Sequence, residues 1–486
     1  MASPLRARRT GWVLVIVLFG SYAYFYQAGG WNQNSRFAMV RAVLERHTLQ
    51  IDAYQLHTGD KALFEGHYYS DKPPGTSLMV IPPVAVARII SEAVGVDPGS
   101  FQGIAWTSYV AAVTSAGLFT VLAAWLVYML GLRWGFSVGA ALFAATAYGV
   151  TGPAWSYATL FMSHGVTAGC LMAAFYARSR MAERDEARRG MMAALLGAST
   201  GWAVVTELQA AIPAIVIVLL ALQEEFRCRR ATFVKVATAL VIPGAACALI
   251  MFAYNTLAFH SPFHLGYASE EGFEQLRTGF FGITRPEWWR VKEILVGEYR
   301  GILPLFPLLI LAPIGLVMLA TDRPRRMDAG LALFVGIYYL VLNASYFYWE
   351  GGWSYAPRQV TPALPFMALG FLPLWDVAQR PLRALLMAGW IWGVAVTLVA
   401  VSTNPQPPST YKAPMRQLLW PAFRDGDLSL NHQTFVHGSA VPDQMRGHTI
   451  PHAAWNLGEV AGLKGHASLV PLGLLWIAGI AALWWL

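Results

Sequence analysis

Cysteine and charged residues are both scarce in this sequence. Of the three cysteines, Cys170 and Cys247 fall in apolar runs and Cys228 in a basic stretch, so neither a disulfide pairing nor a metal-ligand spacing is indicated. Only 13% of the residues are charged while 56% are hydrophobic, and the mean hydropathy is +0.45. An ordinary soluble domain of this length carries more charge. The composition therefore predicts a polytopic membrane protein.

Long apolar runs recur between residues 11 and 486. Each has roughly 18 to 25 residues, enough to cross about 30 Å of hydrocarbon as a helix. The formal net charge of +8 comes from short clusters of Lys and Arg between these runs. This is the positive-inside pattern of membrane proteins, so we expect the lipid bilayer as a partner and no nucleic acid.

The basic clusters also predict the topology. The clusters at 178–189, 227–235, 323–326 and 380–383 all fall in the cytoplasm if segment 76–90, interrupted by Pro82 and Pro83, lies along the membrane surface. About 12 transmembrane helices then remain, with both termini inside the cell. They are expected near 11–28, 104–130, 136–151, 159–177, 190–206, 209–223, 234–256, 302–320, 328–346, 360–376, 383–402 and 467–485.

Three organisational units follow from this topology. Residues 1–402 form a transmembrane catalytic bundle, residues 403–466 an extracytoplasmic loop or small cap, and residues 467–486 the final transmembrane helix. The first apolar run lacks a small-residue cleavage site and is interpreted as a retained anchor. The first outer loop, 29–103, is expected to hold interfacial helices because its apolar and charged residues alternate with a helical period.

A short stretch of that outer loop places an acid beside a base. It reads His67-Tyr-Tyr-Ser-Asp-Lys-Pro-Pro-Gly75, so Asp71 and Lys72 are adjacent and the following prolines stiffen the backbone. A charged pair at a membrane boundary is costly unless it meets partners or a polar ligand. A carboxylate here could deprotonate an acceptor hydroxyl. Asp52 and Asp71 are the catalytic candidates, whereas Asp60 after Gly59 is more typical of a turn.

Three cations are predicted at the same membrane boundary. Lys72, Arg300 and Arg358 could simply extend towards lipid headgroups, but several donors on one phosphate would bind a phosphate-bearing lipid. Arg358 follows Trp349-Glu-Gly-Gly-Trp-Ser-Tyr-Ala-Pro357, where paired glycines permit a tight turn. His164 and Glu207 are ionisable residues at membrane depth, where a functional role is the default, although each could merely bond a helix end.

Together these stretches resemble the lipid-linked-sugar glycosyltransferases of the GT-C fold. The likeness is to glycosyltransferase family 39, the protein mannosyltransferases and the lipid A aminoarabinose transferase. It rests on five parts of the chain: the first outer loop with Arg36-Phe37 and Tyr69-Ser-Asp-Lys-Pro-Pro74, then Tyr157-Ala-Thr-Leu-Phe-Met-Ser-His164, Thr206-Glu207, Tyr254-Asn-Thr-Leu-Ala-Phe259 with Ser261-Pro-Phe263, and Gly351-Gly-Trp-Ser-Tyr-Ala-Pro-Arg358. The resemblance implies an all-α GT-C bundle, a polyprenyl-phosphate-linked sugar donor, inverting transfer on the outer face, and a Lys72 that contacts the donor phosphate.

The sequence departs from that family at one place. Just after the first helix it reads Trp31-Asn-Gln-Asn-Ser-Arg36, with amides where the family has an acidic pair. Amides cannot act as a general base at neutral pH. Either Asp52 or Asp71 has taken over that role, or the chemistry is altered.

The leading hypothesis is an inverting glycosyltransferase of the plasma membrane with its active site on the extracytoplasmic face. Its acceptor could be a glycan, a lipid or a protein. Lys72, Arg358 and Arg300 would hold the donor phosphate, Asp52 or Asp71 would activate the acceptor, and the site would be lined by His164, Glu207, Tyr69, Trp353 and Tyr355. A transporter or flippase of lipid-linked sugars and a catalytically inactive lipid-binding scaffold are the alternatives. A divalent metal stays open, because the outer loop is acidic but shows no ligand pattern.

Overall fold

The computed structural model describes residues 4–182, 185–435 and 453–486. Most of them are helical. The helices are α1 Pro4–Ala23, α2 Trp31–Arg46, α3 Gly75–Ala93, α4 Phe101–Ala112, α5 Leu118–Arg133, α6 Val138–Val150, α7 Pro153–Ala158, α8 His164–Met181, α9 Glu186–Thr206, α10 Ala211–Cys228, α11 Phe233–Phe259, α12 Trp288–Val296, α13 Ile302–Leu305, α14 Ala312–Thr321, α15 Arg326–Ser345, α16 Leu364–Ala368, α17 Phe371–Val377, α18 Arg380–Thr403, α19 Trp420–Asp425, α20 Leu457–Val460 and α21 Val470–Trp485. Four short strands, β1 Phe25–Tyr26, β2 Ala62–Phe64, β3 His67–Tyr69 and β4 Trp455–Asn456, form the antiparallel pairs β1–β4 and β2–β3.

The predicted all-α membrane fold is confirmed, and helices occupy each of the predicted crossings. Within the described ranges, seven helices are long and apolar enough to cross a membrane, or eight if the bent pair Arg358–Ala368 and Phe371–Val377 counts as one span. The seven are Gly75–Ala93, Phe101–Arg133, Leu208–Cys228, Phe233–Phe259, Arg323–Ser345, Arg380–Thr403 and Gly465–Trp485. Other predicted crossings are short or interrupted, so the number of about 12 stays a prediction.

The predicted break at Pro82 and Pro83 is wrong, because α3 continues through both prolines. A proline removes one backbone donor but keeps a helical φ, and apolar helices tolerate it when neighbouring helices support them. α3 packs against α2 and α4. It is long and apolar enough to cross a membrane, and its placement along the membrane surface stays a prediction.

Helices α4 and α5 are joined by a π-helical turn, Val113–Gly117, into one continuous helix. At 1.5 Å per residue it is about 50 Å long, well beyond the roughly 30 Å of a hydrocarbon core. Its second half packs against α6 and α8, and its first half against α3. Tyr109 donates a hydrogen bond to Ala23 O at the end of α1 (2.7 Å). Residues 101–108 therefore extend past the end of α1.

Small residues let the central helices approach closely. A Cβ on Gly315 in α14 would lie 1.7 Å from Gly370 O, and one on Gly131 in α5 would lie 2.9 Å from the Cβ of Ala141 in α6. Backbones at such distances gain van der Waals contact that larger side chains would prevent. The resulting core is built mainly from α5, α6, α8, α14 and α17.

The basic loops gather at one end of the bundle. Arg178 at the end of α8 pairs with Asp328 and with Glu224 (3.1 Å), Lys235 pairs with Glu186 (2.7 Å), and Arg325 donates to Trp134 O. The loops after α5, α8, α10 and α14 thus lie together, as their shared cytoplasmic assignment requires. Arg184 lies outside the described residues.

The long polar segments gather at the other end. Glu271 N donates to Lys61 O (3.0 Å), Thr284 N to Ser345 O (2.9 Å) and Gly29 N to Gln433 O (2.9 Å). The described parts of 403–466 therefore fold onto the segment after α1, and β4 pairs with β1. Residues 436–452 of the predicted cap lie outside the described residues, so that boundary stays a prediction.

Candidate functional site

Lys72 lies between two carboxylates just before α3. Its Nζ is 2.6 Å from Asp71 Oδ2 and 2.9 Å from Asp60 Oδ2. Asp71 is buried and also accepts a hydrogen bond from Ser35 Oγ (3.1 Å). Burial alone would lower the pKa of Lys72, but Asp60 and Asp71 outweigh it and raise that pKa well above its ordinary value. Lys72 is therefore a fixed positive charge.

A cavity of about 100 Å³ opens beside Lys72. Its walls come from α2, the loops around Asp60 and Lys72, α8, the end of α9, the loop 260–287, α15 and the segment before α16. The ionisable and hydroxyl-bearing residues on the walls are Arg36, Asp60, Lys72, Ser163, His164, Glu207, Tyr267, Glu270, Tyr339, Tyr346, Tyr348 and Arg358. Lys72 and Arg358, far apart in the chain, thus line one cavity together with His164 and Glu207.

One wall of this cavity is a hydrogen-bonded chain across α2, α8 and α9. Arg36 Nη2 donates to Ser163 Oγ (3.1 Å), and Ser163 Oγ donates to Glu207 Oε1 (2.6 Å). His164 Nδ1 is 2.6 Å from the same Glu207 oxygen. Arg36 also donates to Pro73 O (3.2 Å), which ties the chain to the backbone that carries Lys72. His164 and Glu207 are thus held as a pair on the cavity wall.

Another part of the cavity lining is Arg358. The turn before it uses Gly351 and Gly352 at φ values of 69° and 66°, a conformation that suits glycine. Arg300 is completely buried and donates to Glu350 O (2.9 Å), Gly352 O (2.7 Å) and Tyr299 O (2.9 Å). Arg300 therefore supports the turn before Arg358 and does not line the described cavities beside Lys72.

The loop after α11 closes the cavity. A Cβ on Gly266 would lie 2.9 Å from Asp71 Cα and O, so this loop rests directly on the Asp71 backbone. It carries Tyr267, whose ring centre is 5.6 Å from Lys72 Nζ, and Glu270. Burial, reinforced by the negative charge of Asp71, raises the pKa of Glu270 to about 9. Glu270 is therefore a neutral carboxylic acid at physiological pH.

Other predicted site residues lie away from this cavity. Asp52 is 43% exposed, accepts from Tyr68 N (2.6 Å) and is 2.8 Å from His67 Nδ1, so it holds β3 against the segment before β2. Tyr69 is buried against Phe259. Tyr355 is buried and accepts from Ser156 Oγ (3.2 Å).

A second cavity, of about 290 Å³, adjoins the first. Trp353, a predicted lining residue, belongs to it. The two cavities share Asn32, Asp60, Phe273, Tyr348 and Arg358. The remaining walls of the second cavity are Gly30, Trp31, Gln33, Met162, Gly351, Gly352, Gln406, Ser409 and Gln433. Asp60 is the one carboxylate that lines both cavities in the described part of the chain.

Sequence reasoning missed two of these acids. The position of Asp60 after Gly59 is typical of a turn, and Glu270 lies in a polar loop with no motif. For Asp60 the available signal was its place in the same acidic loop as Lys72. Nothing in the sequence around Glu270 indicates its burial. For the metal left open above, no cluster of three or more His, Cys, Asp or Glu side chains suited to a metal ion occurs among the described residues.

Comparison with known proteins identifies the fold. The sequence matches no protein-family model and no curated protein. A solved structure of ArnT from Cupriavidus metallidurans bound to undecaprenyl phosphate aligns with 88% of this chain and 70% of its own, at a TM-score of 0.54 and 15% identity. The same protein in the apo state aligns with 87% of this chain and 70% of its own, at a TM-score of 0.50 and 15% identity. Membership of family 39 stays a prediction, and the chain has the GT-C fold.

Proposed function

We propose that this protein is a membrane glycosyltransferase that transfers a sugar from a polyprenyl-phosphate-linked donor to an acceptor hydroxyl. The observation that carries the proposal is the cavity beside Lys72, where Lys72, Arg36 and Arg358 converge in a GT-C fold. Three cations around one small polar cavity suit a phosphate. The related fold of ArnT, solved with undecaprenyl phosphate bound, supports a lipid phosphate as that ligand.

The cavity lining offers hydrogen-bond donors for such a phosphate. An ammonium group has three donors, so Lys72 keeps at least one after serving Asp60 and Asp71. Arg358 Nε is buried without a hydrogen-bond partner among the described residues, and a buried unpaired donor is costly. A donor phosphate would satisfy it. Glu270 is neutral at physiological pH and therefore does not repel the phosphate.

Asp60 is our candidate for the general base. The base must reach the acceptor hydroxyl on the side of the sugar opposite the leaving phosphate, and Asp60 lines both cavities. Asp71 is enclosed by Lys72 and Ser35 and positions Lys72. Asp52 is bound to the backbone of Tyr68 at the surface. Asp60 shares the ion pair with Lys72 (2.9 Å), but unlike Asp71 and Asp52 it lines both cavities. This position favours Asp60 over the two acids that the sequence favoured.

The reaction is a single displacement. Asp60 takes the proton of the acceptor hydroxyl, and the oxygen of that hydroxyl forms a bond to the anomeric carbon. The bond between that carbon and the phosphate oxygen breaks, and its electron pair leaves with the polyprenyl phosphate. Lys72 and Arg358 stabilise the negative charge that develops there. Attack opposite the leaving group inverts the anomeric configuration.

Release of undecaprenyl phosphate from a panel of labelled undecaprenyl-phosphate monosaccharides tests this function. The purified protein should release it from at least one member. Removing a charge that stabilises the transition state costs about 100-fold or more, so Lys72→Ala and Arg358→Ala should lose that much activity. Matched controls are Lys61→Ala, whose ammonium lies over Tyr68, and Arg285→Ala, which is 86% exposed; both should keep wild-type release.

The base assignment has its own test. Asp60→Asn should lower the rate of transfer by about 100-fold or more, while Asp52→Asn, a carboxylate in the same loop, should not. Equal losses of transfer rate in Asp60→Asn and Asp52→Asn would contradict the assignment of Asp60 as the general base. Movement of intact labelled lipid across a vesicle without release of undecaprenyl phosphate would identify a transporter instead.

A further inference from the structure

The second cavity contains a cluster of side-chain amides around Gly30. A Cβ on Gly30 would lie 2.7 Å from Gln33 Oε1, 2.9 Å from Gln433 Oε1 and 3.0 Å from Gln406 Oε1. Three glutamine oxygens therefore converge on a position that only glycine leaves open. Asn32 adds a fourth amide to the same lining.

These amides are buried but not fully bonded. Gln33, Gln406 and Gln433 are each less than a tenth exposed. Gln33 Nε2 donates to Gln406 Oε1 (2.7 Å), and Gln406 Nε2 donates to Gly29 O (3.3 Å). Gln33 Oε1, however, accepts no hydrogen bond from the described residues. Buried polar atoms are nearly always bonded, so this oxygen in the cavity wall indicates a ligand that donates hydrogen bonds.

The charge of this cavity restricts the ligand further. Its charged lining residues are Asp60 and Arg358, both on the boundary with the Lys72 cavity. Away from that boundary the walls are amides, Ser409 and the indoles of Trp31 and Trp353, with Met162 and glycines between them. Each amide offers donors and acceptors, as sugar hydroxyls do, and indole rings are large apolar faces. A neutral, polyhydroxylated ring matches both surfaces, whereas a phosphorylated acceptor would find no cation of its own.

We propose that this second cavity is an acceptor subsite for a neutral glycan. Resting on the proposed function, this assignment names the acceptor class: a terminal sugar unit without charge, held by the amides so that one hydroxyl meets Asp60. A volume of about 290 Å³ is near the lower end of the range for small-ligand sites and suits one terminal unit. Asn32 and Gln33, two of the three amides that set this chain apart from the family it resembles, then have a binding role.

Binding without donor tests the subsite. The full-length protein in lipid nanodiscs is titrated with maltose, cellobiose, mannobiose and methyl glycosides, and binding is followed by saturation-transfer difference NMR. A phosphorylated glucosamine disaccharide and a Ser/Thr-rich peptide are the competing probes. At least one neutral sugar should bind, and the phosphorylated sugar and the peptide should not displace it.

Substitutions locate that binding. Losing one buried hydrogen-bonding partner costs about tenfold or more in affinity, so Gln433→Leu should weaken sugar binding by that factor, and Gly30→Ala should do the same by filling the space between the glutamine oxygens. Gln50→Leu is the matched control, because Gln50 lies in the outer loop, away from both cavities, and its side-chain amide donates a long bond to Tyr69 (3.5 Å). Thermal unfolding of each variant separates lost binding from lost folding.

The outcomes distinguish this inference from the proposed function. Three results would each overturn the subsite. The first is a neutral sugar that binds equally to wild type and to both folded variants, and the second is binding of none of the neutral sugars at millimolar concentration. The third is displacement of the bound sugar by the peptide or the phosphorylated sugar. Sugar binding that depends on Gln433 and Gly30 supports it, whatever the donor assay shows. Failure of wild type to release undecaprenyl phosphate from every donor would instead overturn the glycosyltransferase, with the glycan site left standing.

Discussion

Glu270 is a buried acid beside a cavity that we assign to a phosphate. Burial, with Asp71 nearby, raises its pKa to about 9, so at neutral pH it carries a proton that the unfolded chain has already released. Its favourable contribution to stability is therefore fully present below the ordinary glutamate pKa and is lost as pH rises through about 9. The same ionisation would place a negative charge next to the donor phosphate.

We expect donor cleavage to fall as pH rises through about 9, and Glu270→Gln to abolish that fall. An amide stays neutral at every pH, while Lys72, whose pKa is raised well above its ordinary value, stays charged over the same interval. The measurement is kcat/KM for the lipid-linked sugar as a function of pH. Glu271→Gln is the control, because Glu271 is the exposed neighbour. An alkaline decrease that persists unchanged in Glu270→Gln would contradict the assignment.

Arg300 acts on the site through the backbone. Its guanidinium donates to three carbonyls: that of Tyr299, and those of Glu350 and Gly352 in the segment that precedes Arg358. A lysine cannot present the planar fork that serves three acceptors. We expect Arg300→Lys to lower stability by about 2 kcal/mol or more and to raise KM for the donor as Arg358 loosens.

Thermal unfolding and donor KM measured on the same preparation check this. Arg285→Lys, at an 86% exposed arginine, should change neither. An unchanged donor KM in a destabilised Arg300→Lys would separate Arg300 from the position of Arg358.

Sequence could identify the cations but not their partners. Arg300 and Arg358 both stand beside aromatic residues at a predicted membrane boundary, and the sequence offers no reason to separate them. Only the fold shows that the guanidinium of Arg300 bonds to backbone carbonyls whereas Arg358 lines a cavity. Glu270 was missed because its burial depends on Gly266 packing against Asp71, a contact across almost 200 positions of chain.

At the scale of the elements, the start of α3 is fixed by its first residue. A Cβ on Gly75 would lie 2.7 Å from Thr206 Oγ1 and 2.8 Å from Thr206 N. Glycine therefore lets α3 begin directly against the end of α9, next to Glu207. Because Pro73 and Pro74 stiffen the preceding backbone, the same contact sets where Lys72 lies relative to Glu207.

Gly75→Ala should therefore be destabilising even though alanine is the better helix former. The added methyl meets backbone atoms that cannot move alone, and such overpacking typically costs about 1–3 kcal/mol. We expect a lower unfolding temperature and reduced donor cleavage. Gly190→Ala in α9 is the matched control, since a Cβ there meets nothing within 4 Å; it should be neutral or stabilising by up to about 1 kcal/mol. Equal behaviour of the two variants would exclude the contact.

Hydropathy located the helices well but not their interruptions. Each predicted crossing contains helix, because apolar length alone determines that much. The division of 302–320 at Phe306 and the π-helical turn Val113–Gly117 depend on packing between neighbours. Pro82 and Pro83 predicted an interruption that does not exist, since α3 continues through both residues.

At the scale of the whole molecule, the contacts sort the loops into two ends. The loop after α11 meets the first outer loop, because Ala62 pairs with Glu270, and it meets the segment after α15, because Ile283 pairs with Tyr346. Arg178, Arg189 and Lys235 form their ion pairs at the other end. The charge pattern predicted this grouping from sequence. Which residues meet within each end depends on long-range packing, which the charge pattern does not encode.

The native cysteines allow the orientation of these two ends to be measured. Cys228, the last residue of α10 at the basic end, is exposed, whereas Cys170 and Cys247 are buried. If the basic end faces the cytoplasm, a membrane-impermeant maleimide should label wild-type protein only after cells are permeabilised.

In a Cys228→Ser background, Arg285→Cys and His67→Cys, at exposed sites of the polar end, should both be labelled in intact cells. The two sites flank α3 in the chain, so labelling of one without the other would contradict the shared end. Labelling of Cys228 in intact cells would reverse the orientation and place the proposed donor site inside the cell.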